Sequence, residues 1–144
     1  MKIDGFSFTQ KERMASRKAI DELFTGSSSH SLAAFPVRAV YSLKPSPAAD
    51  AAPVQVLISV SKRHFKHAVD RNRVKRQLRE AYRLHKHPLC KAVPEGQQLY
   101  VAFIWLSDDH MPTANLEGRM VGLLKRISSR LGYTAKHHFA QVTD

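Results

Sequence analysis

Residues 54–83 read VQVLISVSKRHFKHAVDRNRVKRQLREAYR, and within them one periodicity gives way to another. Val54, Val56, Ile58 and Val60 alternate with Gln55, Leu57 and Ser59, the period of a strand. From Ala68 onward the period lengthens. At about 100° per residue, Val74, Leu78, Ala81, Tyr82 and His85 fall on one narrow stripe, enough to dock a helix on a sheet. Asn72, Lys75, Arg76, Arg79, Arg83 and Lys86 fall together on the adjoining flank. A second apolar run, Leu99–Leu106, follows Pro88, which is expected to end the helix. It is apolar on both faces, as a strand covered on both sides would be. A helix is the usual connection between parallel strands. The chain is therefore expected to fold as α+β, with helices packed on a mixed sheet.

The basic flank is unusual for a merely solvated helix. Arg71, Lys75, Arg79 and Arg83 are successive i,i+4 positions of like charge, an arrangement that opposes helix formation by a few tenths of a kcal/mol per pair. Within the helix only Asp70 and Glu80 offset them. Lys62, Arg63 and Lys66 extend the patch upstream. Lys plus Arg outnumber Asp plus Glu by 23 to 12, giving a net charge of +11. Clustering that works against folding, in a chain so basic, points to a polyanionic partner. No helix-turn-helix spacing precedes the basic helix, so folded RNA, contacted at phosphate and ribose, suits it better than a DNA major groove. Arginine is favoured for such contacts because its planar fork matches phosphate oxygens.

The rest of the chain supplies a small single domain. The 144 residues with 43% hydrophobic content can bury one core, and the expectation is one RNA-binding domain over residues 1–144 with its core at about 13–131. Cys90 is the sole cysteine, which fits a reducing compartment. The N-terminal stretch has no apolar segment of signal-peptide type, and Leu99–Leu106 is too short to span a bilayer. A soluble, cytoplasmic protein without a membrane partner is expected, and nothing in the pattern marks an oligomeric state. Ser16–Phe24 reads as a short helix capped by Ser16, with Ile20, Leu23 and Phe24 on one face. The capping-box spacing of Thr9 and Glu12 allows an earlier start, and Gly26 ends the helix. Val37–Leu43 is a strand with Val37, Ala39, Tyr41 and Leu43 on one face. Residues 44–53, rich in Pro and Ala, are expected to form a flexible exposed connection. Thr113–Leu131 is the last helix, carrying Leu116, Met120, Leu123, Leu124, Ile127 and Leu131 at helical spacing. Gly118 and Gly122 weaken it, which suggests close approach of another backbone. The tail, residues 132–144, is weakly patterned.

The segment SVSKRHFKHAVDRNRVKRQLREAYR, Ser59 to Arg83, closely resembles the signature of the bacterial ribonuclease P protein family: S-V-S-K-K, a short turn, then A-V-x-R-N-R-x-K-R-x-x-R-E-x-[FY]-R. The match is ungapped. A weaker likeness in element order extends over roughly Arg13 to Leu131. The resemblance implies an αβββαβα sandwich, similar to the second domain of ribosomal protein S5, with a left-handed βαβ crossover. It also implies an extra strand near Ser29–Ala34. By the same resemblance the protein is an accessory subunit of an endoribonuclease, partnered by a catalytic RNA and by precursor tRNA. It has no catalytic side chain and binds no cofactor itself, and Mg2+ is expected at the RNA active site. RNA-binding positions carried over by the signature are Lys62, Arg63, Arg71, Asn72, Arg73, Lys75, Arg76 and Arg79, and Arg83 joins them from the basic flank. Tyr41 and Phe24 match aromatics of the family's cleft for the 5′ leader of precursor tRNA. Ile20 stands beside them, with Arg38 as nearby basic ground.

Two departures from the signature are visible. Lys66-His67 replaces Gly-Asn before A-V, implying a different turn and a poorer helix cap. Ala19-Ile20 replaces Asp-Phe in the first helix, removing an aromatic. Tyr41 is open to a second reading, core packing, since Val37, Ala39 and Leu43 share its face. Asp108, Asp109 and His110 are the most enzyme-like trio, but they read as a polar turn before the last helix. His85 is expected to pack on the apolar stripe. His87 and the His137-His138 pair lack cysteines at zinc-ligand spacing. Trp105 reads as core. The alternative function is a structural or ribosomal RNA-binding protein with no processing role; a protein-only nuclease lacks a carboxylate cluster.

Overall fold

The computed structural model describes residues 8–14, 16–26 and 29–143, with side chains described as far as residue 132. A single 3-10 turn, Gln10–Glu12, opens the described chain. Then come α1 (Arg17–Thr25), β1 (His30–Ala34), β2 (Val37–Pro45), β3 (Val54–Ser59), α2 (Ala68–His85), α3 (His87–Ala92), β4 (Gln97–Trp105) and α4 (Thr113–Thr143). The four strands form one mixed sheet in the order β1-β2-β4-β3. β1 with β2 and β2 with β4 run antiparallel. β3 runs parallel to β4, with Val56 opposite Val101 and Ile58 opposite Phe103. The parallel pair is the one that α2 and α3 connect, as the strand–helix–strand pattern predicts.

Alternation along the strands decides which helix covers which face. Val37, Ala39 and Tyr41 of β2 join Leu99, Val101, Phe103 and Trp105 of β4 on the face covered by α2 and α4. Against them lie Val74, Leu78, Ala81 and Tyr82, the predicted stripe of α2, all buried. The predicted stripe of α4, from Leu116 to Leu131, is buried in the same cluster. Burying a side chain of this size contributes about 1.5–3 kcal/mol, so this face carries most of the apolar stabilisation. The opposite face holds Val40 and Ala102, covered by Met14, Ala19 and Leu23. Ile20, Leu57, Tyr100 and Ile104 line the rim of that smaller cluster, half-buried.

Several boundaries differ from expectation for local reasons. Ser16 caps α1 by accepting from the Ala19 amide at 3.2 Å, a contact worth about 1 kcal/mol. The Thr9–Glu12 box does not extend α1. It closes the separate 3-10 turn, where Glu12 Oε1 accepts from the Thr9 amide at 2.9 Å. β1 occupies the segment where the resemblance implied a strand. As an outer strand it buries only Leu32, so its pattern is faint. Pro88 lies in the first turn of α3 rather than simply stopping α2, because proline is tolerated in the first turn of a helix. The segment after β2 is hydrogen-bonded near both its ends: Ser46 N donates to Gly96 O and Gln98 Nε2 to Ala52 O. α4 continues beyond Leu131 to Thr143. A Cβ placed at Gly118 or Gly122 would meet nothing within 4 Å, so these glycines serve no close approach. Among the described residues no helix is long and apolar enough to cross a membrane.

Candidate nucleic-acid interface

α2 turns its stripe to the core between the sheet and α4, and much of its cationic flank faces outward. Asn72, Arg73, Arg76 and Arg79 are exposed, and Lys75 is half-buried beside them. Lys62, Arg63 and Lys66 stand exposed in the turn before the helix. The helix and the turn together present one cationic ridge, and two of the predicted members are held differently. Arg71 is half-buried, and its Nη1 donates to the carbonyls of Phe65 and Lys66, each at 2.9 Å. Arg83 is half-buried and forms a two-point contact with Glu80, Nε to Oε2 at 3.0 Å and Nη2 to Oε1 at 2.8 Å. The Arg83 hydrogen bond holds the Glu80 carboxyl below its ordinary value, more than its slight burial opposes this.

Arg71 also explains how the turn closes without the Gly-Asn of the signature. His67 at the N-cap is extended and makes no side-chain capping bond. No residue of the turn has positive φ. The guanidinium of Arg71 gathers the turn's carbonyls instead. The loop from Ser107 to Pro112 is pinned over it. His64 Nδ1 lies 2.8 Å from Asp108 Oδ1, His110 Nε2 lies 3.1 Å from Asp70 Oδ1, and the His110 ring stacks on Phe65 at 4.6 Å. Asp108 and His110 thus engage different partners, while Asp109 is exposed. They fasten a turn and do not converge on a reaction centre. His85 corrects expectation: it is half-exposed and pairs with Glu117 of α4, because the edge of the stripe meets a carboxylate there. Trp105 is core, as expected. The side chains of His137 and His138 lie outside the described residues.

The predicted leader residues do not form one surface. Tyr41 is 3% exposed and belongs to the core under α2 and α4, its ring 5.4 Å from that of His30. Ile20 packs on the other face of the sheet. Phe24 is 46% exposed at the end of α1, and Arg38 is exposed with its Nε on Ser31 Oγ at 2.9 Å. Tyr41 therefore cannot stack a base beside Ile20. The half-buried aromatic on the α1 side is Tyr100 of β4, which the sequence reading passed over. Its signal was present: it alternates with Leu99 and Val101 in a strand covered on both faces.

A small α+β protein with an outward cationic helix is the class these features define, and comparison with known proteins narrows it. The family model for ribonuclease P matches residues 8–128. A ribonuclease P protein component from Porphyromonas gingivalis is 36% identical over 132 residues, covering 90% of this chain and 93% of that protein. One from Chlorobaculum tepidum is 45% identical over 58 residues, covering 37% of this chain and 38% of that protein. Among solved structures, the RNase P protein of Thermotoga maritima has a TM-score of 0.60 at 21% identity, covering 81% of this chain and 97% of that one. That of Staphylococcus aureus has a TM-score of 0.56 at 22% identity, covering 79% and 93%. The chain belongs to the ribonuclease P protein component family. A role in tRNA processing follows from that membership.

Proposed function

We propose that this chain is the protein subunit of a ribonuclease P whose chemistry is carried by RNA, and that it binds both the catalytic RNA and the 5′ leader of precursor tRNA. The observation that supports this most is the ridge of Arg73, Lys75, Arg76 and Arg79 on the outward flank of α2. The acids nearest to it are engaged elsewhere, Asp70 with His110 and Glu80 with Arg83. Like charges at helical spacing gain from a phosphate backbone what they lose by mutual repulsion, through release of condensed counterions. The protein's contribution is electrostatic and positional. Mg2+ acts at the RNA, and no side chain here serves as nucleophile or base.

The leader takes the face of the sheet that α1 borders. Ile20, Phe24 and Tyr100 give it apolar contacts and Arg38 a cation. Stacking on such side chains tolerates any base, which suits a protein that must accept many leaders. The test is reconstitution: precursor tRNA, cognate catalytic RNA and limiting Mg2+, with protein added or omitted. Faster 5′ cleavage with protein supports the proposal. Tight binding to the RNA without any effect on cleavage supports a structural RNA-binding role instead.

A further inference from the structure

A pocket lies at the open edge of β3, bordering the α1 face at Met14 and Leu57, and none of the predicted functional residues but Arg79 touches it. Phe8, Arg13, Met14, Val56, Leu57, Ile58 and Arg79 line it, with a volume of about 140 Å³. Arg13 forms an isolated parallel bridge with Val56, and the Met14 amide donates to Val56 O at 2.9 Å. Among the described residues, the last backbone contact of the N-terminal segment with the sheet edge is at Val56. Backbone polar groups two residues apart in a strand point to the same edge, so the N–H and C=O of Ile58 face outward where the pocket opens. The Arg13 guanidinium lies over the Phe8 ring, 5.3 Å from its centroid. The Phe8 ring is itself held edge-on against Tyr82 at 5.8 Å.

We propose that this pocket receives a single unpaired nucleotide of a bound RNA strand. Met14 and Leu57 on one side of the strand edge and Ile58 on the other form the apolar walls that take the base. Arg13, held in place by Phe8, lays its planar guanidinium on the base, as arginine does with unstacked bases of RNA. The outward N–H and C=O of Ile58 meet the edge of the base. Arg79 reaches the pocket from α2 and takes the phosphate, joining the pocket to the cationic ridge. Among the described residues no acidic side chain lines the pocket. A duplex cannot enter, because its bases are stacked and paired. The assignment rests on the nucleic-acid reading of α2 and adds Phe8 and Arg13 to it.

The test uses the full chain with labelled methyl and amide groups. It is titrated with a mixed-sequence single-stranded RNA tetranucleotide, with an RNA duplex and with inorganic phosphate. The tetranucleotide should shift the Met14 and Ile58 methyls and the Ile58 amide, and neither the duplex nor phosphate should. Arg13→Lys keeps the charge and loses the plane. It should weaken tetranucleotide binding about tenfold with an unchanged salt slope, whereas Arg79→Ala should lower that slope by about 0.7. Phe8→Leu, which frees Arg13, should weaken binding in the same direction. Shifts confined to α2, or Arg13→Lys binding as well as the wild type, would overturn the proposal. The catalytic RNA is titrated in parallel. If it fails to bind, the proposed function falls, and the tetranucleotide still decides the pocket. If it binds and Met14 does not respond, the pocket alone falls.

Discussion

Lys86 Nζ lies 2.6 Å from Glu12 Oε2, with both side chains almost wholly out of water. Lys86 is the residue between α2 and α3, and Glu12 ends the 3-10 turn that leads into Arg13 and Met14. The pair therefore fastens the N-terminal segment to the far end of the basic helix. A buried charge left without its partner is strongly destabilising, by about 3–5 kcal/mol, while replacing both partners by apolar groups is often neutral. Lys86→Met alone should lower the unfolding free energy in urea by that order. Lys86→Met combined with Glu12→Leu should recover most of it. A loss in the double variant equal to the sum of the losses in Lys86→Met and Glu12→Leu alone would show that the pair is not coupled.

Gly118 and Gly122 provide a second stability test. Both lie within α4 with open space where a Cβ would stand. Gly118→Ala and Gly122→Ala should each stabilise the protein by about 0.5–1 kcal/mol, read as a raised urea midpoint at constant slope. A lowered midpoint would mean that these positions are packed against something.

The ridge of α2 predicts graded salt effects. Arg73→Ala, Arg76→Ala and Arg79→Ala should each lower the log–log salt slope of catalytic-RNA binding by ~0.7–0.9. Arg83→Ala should lower it less, because its guanidinium is engaged by Glu80. Arg71→Ala should act through the turn, reducing stability as well as affinity. A slope unchanged across the first three would return α2 to the status of an ordinary solvated helix.

The leader path separates two tyrosines. Tyr100→Ala should weaken precursor tRNA binding by ~1–3 kcal/mol if a base stacks there, with little change for mature tRNA. Ile20→Phe should modestly strengthen precursor binding. Tyr41→Ala should instead destabilise the fold by about 3–5 kcal/mol, as loss of a buried aromatic does, and should not discriminate between the two RNAs. Matched titrations with precursor and mature tRNA decide. Discrimination lost at Tyr41 and kept at Tyr100 would reverse the assignment of faces.

The parts of this fold that were legible in the sequence are those governed by local period. Val74, Leu78, Ala81 and Tyr82 announce the buried stripe of α2, and the runs around Val56 and Val101 announce the parallel pair β3 and β4. β1 was legible only through the resemblance, because one buried residue, Leu32, leaves no alternation to detect. The face of Tyr41 was readable from Val37 and Ala39, but which helix covers that face depends on contacts distant in the chain. The partners of Arg71 and His85 are likewise tertiary: a carbonyl turn and a carboxylate on α4. The ridge could be located from spacing alone, whereas the division between outward and engaged cations required the folded chain.

Reconstituted cleavage of precursor tRNA tests the central claim most directly. Single-turnover rates at limiting Mg2+ are compared for catalytic RNA alone, for protein alone, and for RNA with the wild type, with Arg73→Ala/Arg76→Ala/Arg79→Ala, or with Asp108→Ala/Asp109→Ala/His110→Ala. The account predicts that the wild type accelerates cleavage by the RNA, that the arginine variant loses that effect, that the Asp108 variant nearly keeps it, and that protein alone cuts nothing. Cleavage by protein without RNA, abolished in the Asp108 variant, would contradict it.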